Sequence, residues 1–169
     1  MKTHAQQFLL YSVGLIHKVV FNLRRCDYGN EQTVRIYEKA IQLIKLLFED
    51  GDYGAQHFQL FGFYAEIALA YAKMNDADAC IENLNIAAHH AIKYDALLEG
   101  LPYTSLLFSE LKTQRNGKTY MSNEAQNMLK KMATEHFDFC RNDERFVELE
   151  NKLARTAGDG VTMEKIKER

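Results

Sequence analysis

Apolar residues follow helical spacing on both sides of a short polar break at Asn75 and Asp76. Before the break they recur at steps of four and three, at Leu60, Tyr64, Ile67, Tyr71 and Met74. After the break the spacing continues at Ala77, Cys80, Ile81, Leu84, Ala87, Ala88 and Ala91. Such spacing places each set on one side of an α-helix. Because the break is so short, the pattern predicts an antiparallel helical hairpin from about Ala55 to Lys93.

Two more helices are predicted before the hairpin, over residues 6–25 and 31–48. The second is lined by Val34, Tyr37, Ile41, Ile44 and Phe48. The first carries two apolar stripes, one of Leu9, Val13, Ile16, Val20 and Leu23 and the other of Phe8, Leu15 and Val19. A helix that is apolar around more than half its circumference has neighbours on two sides. Either the chain dimerises through this helix, or a segment N-terminal to it is missing.

After the hairpin, loops alternate with short helices. Residues 94–103 contain Gly100 and the only proline and predict a loop, and residues 113–120 predict another. Between these loops, residues 105–112 predict two helical turns with four residues facing inward, namely Leu106, Leu107, Phe108 and Leu111.

Two helices are predicted near the C-terminus. Ser122 is the candidate N-cap of a helix whose inward residues are Ala125, Met128, Leu129 and Met132. The last helix begins near Asp143 and should cap the open end of the stack with Phe146, Leu149 and Leu153. Residues 1–155 are therefore expected to form one all-α domain, followed by a flexible charged tail over residues 156–169.

The charge, the hydropathy pattern and the cysteines of the chain limit the kinds of function that are expected. The 169 residues carry 21 basic and 23 acidic side chains, a net charge of −2, which gives no electrostatic basis for direct nucleic-acid binding. No run of 18 apolar residues and no signal-peptide pattern occurs, so we expect a cytoplasmic chain that does not enter a membrane. Three widely spaced cysteines, Cys26, Cys80 and Cys140, are interpreted as reduced structural thiols.

No catalytic residue, cofactor site or metal site is predicted, and we expect the chain not to be an enzyme. His136 and Cys140 have the spacing of two metal ligands on one helical face, but no second pair accompanies them. His89 and His90 are neighbours and are interpreted as helix-end interactions. Asp50 and Asp52 are assigned to turn chemistry. Ion pairs among Arg141, Asp143 and Arg145 are expected to fix the last helix.

The hairpin alternates large and small residues. Tyr64 and Leu84 are large, whereas Ala68 and Ala87 are small, so that the two helix backbones can approach each other. This order resembles the tetratricopeptide (TPR) repeat, with departures at Ala77 and Cys80. The resemblance implies an all-α, TPR-like stack of antiparallel helical hairpins, about seven helices in all, with a C-terminal capping helix.

Several sequence blocks occur in an order that resembles the C-terminal TPR-like region of Xre-type bacterial transcriptional regulators of Firmicutes. The blocks are Asp52-Tyr53-Gly54, residues 63–73, 91–95, Tyr103-Thr104-Ser105-Leu106-Leu107, residues 118–124, and Phe137-Asp138 with Arg141, Asp143, Arg145 and Phe146. Such regulators carry a lambda-repressor-like helix-turn-helix head before this region. A head needs about 55 further residues of compact helices, so we expect none in this chain.

The resemblance implies an effector-sensing and oligomerisation module that forms a homodimer and takes a short peptide or protein segment in a groove. The groove would be lined by the first helix of each hairpin, at Lys18, Asn22, Arg25, Ala65, Leu69, Ala72 and Lys73. Basic and amide side chains suit a peptide, because they can bind its carboxylate and backbone. The alternatives are that these residues are ordinary solvated surface, and that the chain is a free-standing adaptor for protein–protein interaction.

Overall fold

Helices form nearly all of the regular structure in a computed structural model that describes residues 2–23, 26, 28–48, 50–114 and 123–158. The α-helices are α1 (Lys2–Leu23), α2 (Asn30–Leu47), α3 (His57–Lys73), α4 (Ala77–Asp95), α5 (Glu124–Met132) and α6 (Glu144–Ala157). Single stretches of 3-10 helix lie at Gly54–Gln56, Leu106–Phe108 and Glu135–Cys140. Within the described residues there is no β-strand, which confirms the predicted all-α stack.

The α3–α4 hairpin is the centre of the stack. Its turn places Asn75 in the left-handed region, at φ 57°, which asparagine tolerates better than most residues. Asp76 then caps α4, because its Oδ1 accepts a hydrogen bond from the Ala79 backbone N–H at 3.0 Å. The apolar stripe of α4 is buried from Cys80 to Ala91, against α3. The predicted antiparallel hairpin is confirmed.

Helices on both sides extend this hairpin into a stack. On one side α2 packs against α3, and α1 packs against α2. On the other side α5 and α6 pack against each other and against α4. The inward residues predicted for α5 and α6 are all buried, so the last helix does cover the end of the stack.

The segment between α4 and α5 corrects one prediction. Residues 105–112 form a single 3-10 turn rather than two helical turns, and Leu106 and Leu107 are exposed while Phe108 and Leu111 are buried. Backbone hydrogen bonds join the two ends of the segment, from Tyr103 N–H to Leu111 O and from Thr113 N–H to Leu101 O. These bonds hold the segment as a closed loop, which leaves too little chain for a second helical turn.

Asp95, the last residue of α4, also caps the start of α5. Its Oδ1 accepts from the Glu124 N–H and its Oδ2 from the Ala125 N–H, both at 2.9 Å. The N-cap of α5 is Asn123, whose Oδ1 accepts from Gln126 N–H at 2.8 Å, and not Ser122, which lies outside the described residues. Three otherwise unpaired N–H groups of the first turn are thereby satisfied.

Of the ion pairs expected among Arg141, Asp143 and Arg145, the structure contains the one between Arg145 and Asp143, whereas Arg141 pairs with Asp138 instead. Arg145 contacts Asp143 at 2.7 Å and Asp78 of α4 at 2.8 Å. Arg141 contacts Asp138 at 2.5 Å and also donates to the backbone carbonyl of Thr134. The last helix continues to Ala157, two residues past the expected domain end, and residues 159–169 of the expected tail lie outside the described part.

Candidate functional site

The two apolar stripes of α1 have different environments. The first stripe faces the protein, with Val13 and Val20 buried. The second stripe, of Phe8, Leu15 and Val19, faces solvent, and Tyr11 lies on the same line of the helix. These four residues are here called the α1 outer face, and Phe8, Tyr11, Leu15 and Val19 have exposed fractions of 79, 72, 47 and 57%. Their spacing of three, four and four residues aligns them along one line of the helix. This is an unpaired apolar surface on an isolated chain.

An apolar groove of about 570 Å³ runs between α1 and α2 beside the outer face. Leu15 and Val19 border it from α1, and Ile36 and Leu43 border it from α2. Leu43 is 50% exposed. Leu46, one turn further along α2, is 72% exposed. The groove and the outer face therefore form a continuous apolar surface on the α1 side of the stack.

The predicted groove residues do not all come together. Leu69 and Lys73 line a cavity of about 270 Å³ between the end of α1, the start of α2 and α3, together with Val20 and Leu23. This is here called the Lys73 cavity. Glu66 borders it as well, and its carboxylate lies 3.5 Å from Nζ of Lys131.

The remaining predicted groove residues lie elsewhere. Ala65 and Ala72 are 4 and 5% exposed and belong to the helix packing, so they offer a ligand no surface. Lys18 and Asn22 are exposed on α1, and Lys18 borders a different cavity. Arg25 lies outside the described residues. Alanine occurs on both buried and exposed faces of a helix. Periodicity alone therefore assigned Ala65 and Ala72 to an open groove, although both are buried.

A larger cavity of about 710 Å³, here called the α1–α3 cavity, is lined by three segments. One wall is α1, with Leu10, Gly14 and Lys18. The second is the start of α3 with Gln56 and Gln59. The third is the 101–114 loop, which closes over the cavity with Tyr103, Lys112 and Gln114. The loop is attached to α1 by a hydrogen bond from the Glu110 N–H to the buried Gln6 side chain at 3.0 Å.

The Gln56 and Gln59 side chains are 4 and 5% exposed, and their Oε1 atoms have no hydrogen-bond partner in the described part of the protein. A buried carbonyl without a donor costs roughly 1–3 kcal/mol. Sequence reasoning missed both residues. The available signal was that two glutamines three positions apart open a helix that is otherwise apolar on most sides.

A second cluster missed by sequence reasoning surrounds His90. This residue is buried, and its ring stacks on Tyr64 with 5.7 Å between centroids. Its Nδ1 lies 2.8 Å from Nδ1 of His57. Burial above all lowers the pKa of His57 to about 4 and that of His90 to about 3, and nearby cationic groups add to the effect. His90 therefore belongs to the core, which corrects its assignment to a helix-end interaction.

The α2–α3 connection and the 101–114 loop are bound to each other. The Thr104 N–H donates to Asp52 Oδ2 at 2.7 Å, and the Thr104 hydroxyl donates to Asp50 Oδ2. Ser105 donates to the Leu47 carbonyl at 3.1 Å. Asp50 and Asp52 thus do more than shape their own turn, because they anchor the loop that closes the α1–α3 cavity.

The two residues with metal-ligand spacing, and the three cysteines, differ in burial. His136 is exposed and Cys140 is buried, with its Sγ donating to the Phe137 carbonyl at 3.4 Å. Among the described residues, no group of three or more His, Cys, Asp and Glu side chains could hold a metal ion. Cys80 is buried as well, whereas Cys26 is exposed, and all three are free thiols.

Comparison with models of protein families, with curated proteins and with solved structures gives no match. In the part of the chain that the structure describes, none of the helices has the length and apolar character needed to span a membrane. The functional assignment therefore depends on the surfaces and cavities described above.

Proposed function

We propose that this chain is the regulatory, TPR-like module of a helix-turn-helix transcriptional regulator, in which it senses an effector and pairs two copies of the protein in the cytoplasm. The observation that carries the proposal is the α1 outer face. Four large apolar side chains on one line of a 22-residue helix stay exposed in the single chain. Apolar patches of this kind mark interaction surfaces.

A second copy of the chain is the occupant that suits this face best. Two α1 helices can pack face to face around a two-fold axis, so that each outer face covers the other. The net charge of −2 is small enough to permit self-association. Leu43 and Leu46 of α2 extend the apolar surface toward the size that a stable dimer needs, about 800 Å² per partner.

Pairing would give the module its regulatory role. Helix-turn-helix heads read two half-sites about one helical turn apart, so the geometry of the dimer sets which DNA site can be bound. A ligand that binds one packing arrangement of the helices better than another shifts the population toward it. The cavities beside α1 lie next to the helix that would form the dimer, where such a shift would change the spacing of the heads.

Sedimentation equilibrium of Phe8→Glu and Val19→Glu tests the dimer. We expect the wild type to be dimeric at tens of micromolar, and each variant to weaken association by at least about tenfold, because a carboxylate would be buried in the interface. Val147→Glu is the matched control, since Val147 is a 43% exposed apolar residue on α6, at the other end of the stack. A wild type that stays monomeric at high concentration would overturn the dimer.

A functional assay follows from the same variants. The chain is fused to a helix-turn-helix head that represses a reporter only when it is paired. Wild type and Val147→Glu should restore repression, and Phe8→Glu should not. Equal repression by all three fusions would show that the outer face does not pair the heads.

The second candidate function is a free-standing adaptor, and the Lys73 cavity favours it. Leu69 and Lys73 place one apolar and one basic group at an opening that could take a short protein segment. The reading frame preceding the Met1 codon separates the two proposals. A helix-turn-helix encoded there in frame favours the regulator, and a stop codon without one favours the adaptor.

A further inference from the structure

The α1–α3 cavity has the properties of a small-molecule site. At about 710 Å³ it falls within the range of ligand cavities, and its walls are mainly apolar, with Leu10, Ala55 and Phe58 among them. The two buried Oε1 atoms, of Gln56 and Gln59, lack partners in the described residues although both side chains border this space. Buried polar atoms are nearly always paired, so an orphan pair at one cavity suggests a missing donor.

The charges around the cavity specify the ligand further. Lys18 and Lys112 border it, and no acidic side chain does among the described residues. Burial lowers the pKa of His17, which also borders the cavity, so the imidazole is neutral at pH 7. The cavity is therefore positive at its exposed lysines and carries neutral acceptors in its interior.

We propose that the α1–α3 cavity binds a small, mainly apolar carboxylate that carries N–H groups. The N–H groups donate to Oε1 of Gln56 and Gln59, and the carboxylate lies toward Lys18 and Lys112. The apolar body packs against Leu10 and Phe58. The binding itself is independent of the proposed regulatory function, and only its use as a signal rests on that function.

The cavity also borders the proposed dimer surface. Tyr11 and Leu15 of the α1 outer face line its opening. A ligand and a second copy of the chain therefore contact the same side chains. By linkage, a ligand that strengthens pairing must itself bind more tightly to the dimer.

N-acetyl-L-phenylalanine is the probe, because it combines an aromatic body, an amide N–H and a carboxylate. Ligand-observed NMR and calorimetry should give a Kd of about 1 mM or tighter for the wild type. Its N-methyl derivative, which lacks the N–H, and its primary amide, which lacks the charge, should each bind about tenfold more weakly. No binding of the parent compound, or equal binding of all three, overturns the proposal.

Gly14→Leu tests the location of the site. Gly14 borders the cavity, and an added Cβ there meets no atom within 4 Å, so a side chain at this position begins in open space and would occupy part of the cavity. Gly62→Leu is the matched control, since Gly62 also lies inside a helix, has no neighbour within 4 Å and borders a different cavity. Leucine favours a helix over glycine by nearly 1 kcal/mol, so both variants should fold. Loss of probe binding is expected for Gly14→Leu alone, and equal binding by both variants contradicts the assignment.

Gln56→Leu and Gln59→Leu distinguish a binding role from a structural one. Replacing an unpaired buried amide with an apolar side chain should leave stability unchanged or raise it. Because the probe has a single N–H, its affinity should fall about tenfold in the variant that removes the accepting glutamine and change less in the other. Affinity for the N-methyl derivative should not change. If water molecules alone satisfy these oxygens, both substitutions will destabilise the protein without a selective effect on the parent probe, and the proposal fails.

Failure of this site and failure of the dimer can be told apart. Phe8 does not border the α1–α3 cavity, so Phe8→Glu keeps every side chain of the site and should still bind the probe where it no longer dimerises, with an affinity changed only by the coupling to pairing. A monomeric wild type that still binds the probe would reject the dimer and keep the site. A dimeric wild type that does not bind the probe would keep the dimer and reject the site.

Discussion

The Nδ1 atoms of His57 and His90 lie 2.8 Å apart, although 33 positions separate the two residues in the sequence. At this distance one ring donates a hydrogen bond and the other accepts it, so at least the accepting imidazole must be neutral and the two rings cannot both be protonated. Tyr64 stacks on His90, and Tyr53 packs edge-on against both rings. The pair links the start of α3 to the middle of α4.

Stability should therefore fall as the solution is acidified. The unfolded histidines take up protons near their ordinary pKa of 6.5, whereas the folded ones do so only near 4 and 3. The unfolded state consequently binds more protons below pH 6.5, and the free energy of unfolding should decrease by up to about 1.4 kcal/mol per pH unit for each histidine. The loss is expected between pH 6.5 and 4. Urea titrations at pH 7 and pH 5 measure it.

Variants identify the groups responsible for this pH dependence. His90→Phe keeps a ring on Tyr64 but removes one of the two titrating groups, so the difference between pH 7 and pH 5 should shrink. His136→Gln is the control, because His136 is exposed on the 3-10 helix before α6. A pH dependence that survives unchanged in His90→Phe would show that other groups cause it.

Gly54→Ala should be strongly destabilising. Gly54 has φ +48°, and an added Cβ would lie 2.4 Å from Cε1 of Tyr103. The left-handed backbone and the overlap together should cost about 2–4 kcal/mol, measured by urea denaturation. Gly29→Ala, where an added Cβ meets nothing within 4 Å, should change stability by less than about 1 kcal/mol. Adding Tyr103→Ala should make Gly54→Ala less costly, and strict additivity of the two would contradict the overlap.

Asp95→Ala should loosen the start of α5. Its carboxylate accepts hydrogen bonds from two backbone N–H groups of the first turn, those of Glu124 and Ala125. A loss of about 2 kcal/mol is expected, with a smaller loss for Asp95→Asn, which keeps one acceptor. Glu82→Ala, at an exposed position of α4, is the control. Hydrogen exchange at the Glu124 and Ala125 amides should accelerate in Asp95→Ala, and unchanged exchange would refute the capping role.

One thiol should react quickly with a disulfide reagent in the native protein. Cys26 is exposed, whereas Cys80 and Cys140 are buried. Burial raises the pKa of Cys80 to about 12 and also raises that of Cys140, so neither forms the reactive thiolate near neutral pH. Ellman titration should count one fast thiol in the native state and three after unfolding. Cys26→Ser should remove the fast phase, and a second fast thiol would contradict the burial.

The periodic apolar spacing was sufficient to predict each α-helix and, for α2, α4, α5 and α6, its inward face. Cys80, Leu84 and Ala87 of α4, and Phe146, Leu149 and Leu153 of α6, are buried as predicted. Helix periodicity is a local property, because side chains three and four residues apart share a face whatever the helix packs against. The same reasoning failed for residues 105–112, where backbone bonds between distant positions decide the conformation.

The sites depended on tertiary structure. The sequence predicted two apolar stripes on α1, but only the packing of the helices shows which of the two stripes is left in solvent. Gln56 and Gln59 become unpaired acceptors because the 101–114 loop folds over them, and His57 meets His90 because α3 and α4 are antiparallel. By itself the sequence determined which residues share a helix face. Which faces meet, and which polar atoms are then enclosed without a partner, depends on contacts between residues far apart in the chain, and only the tertiary structure decided these.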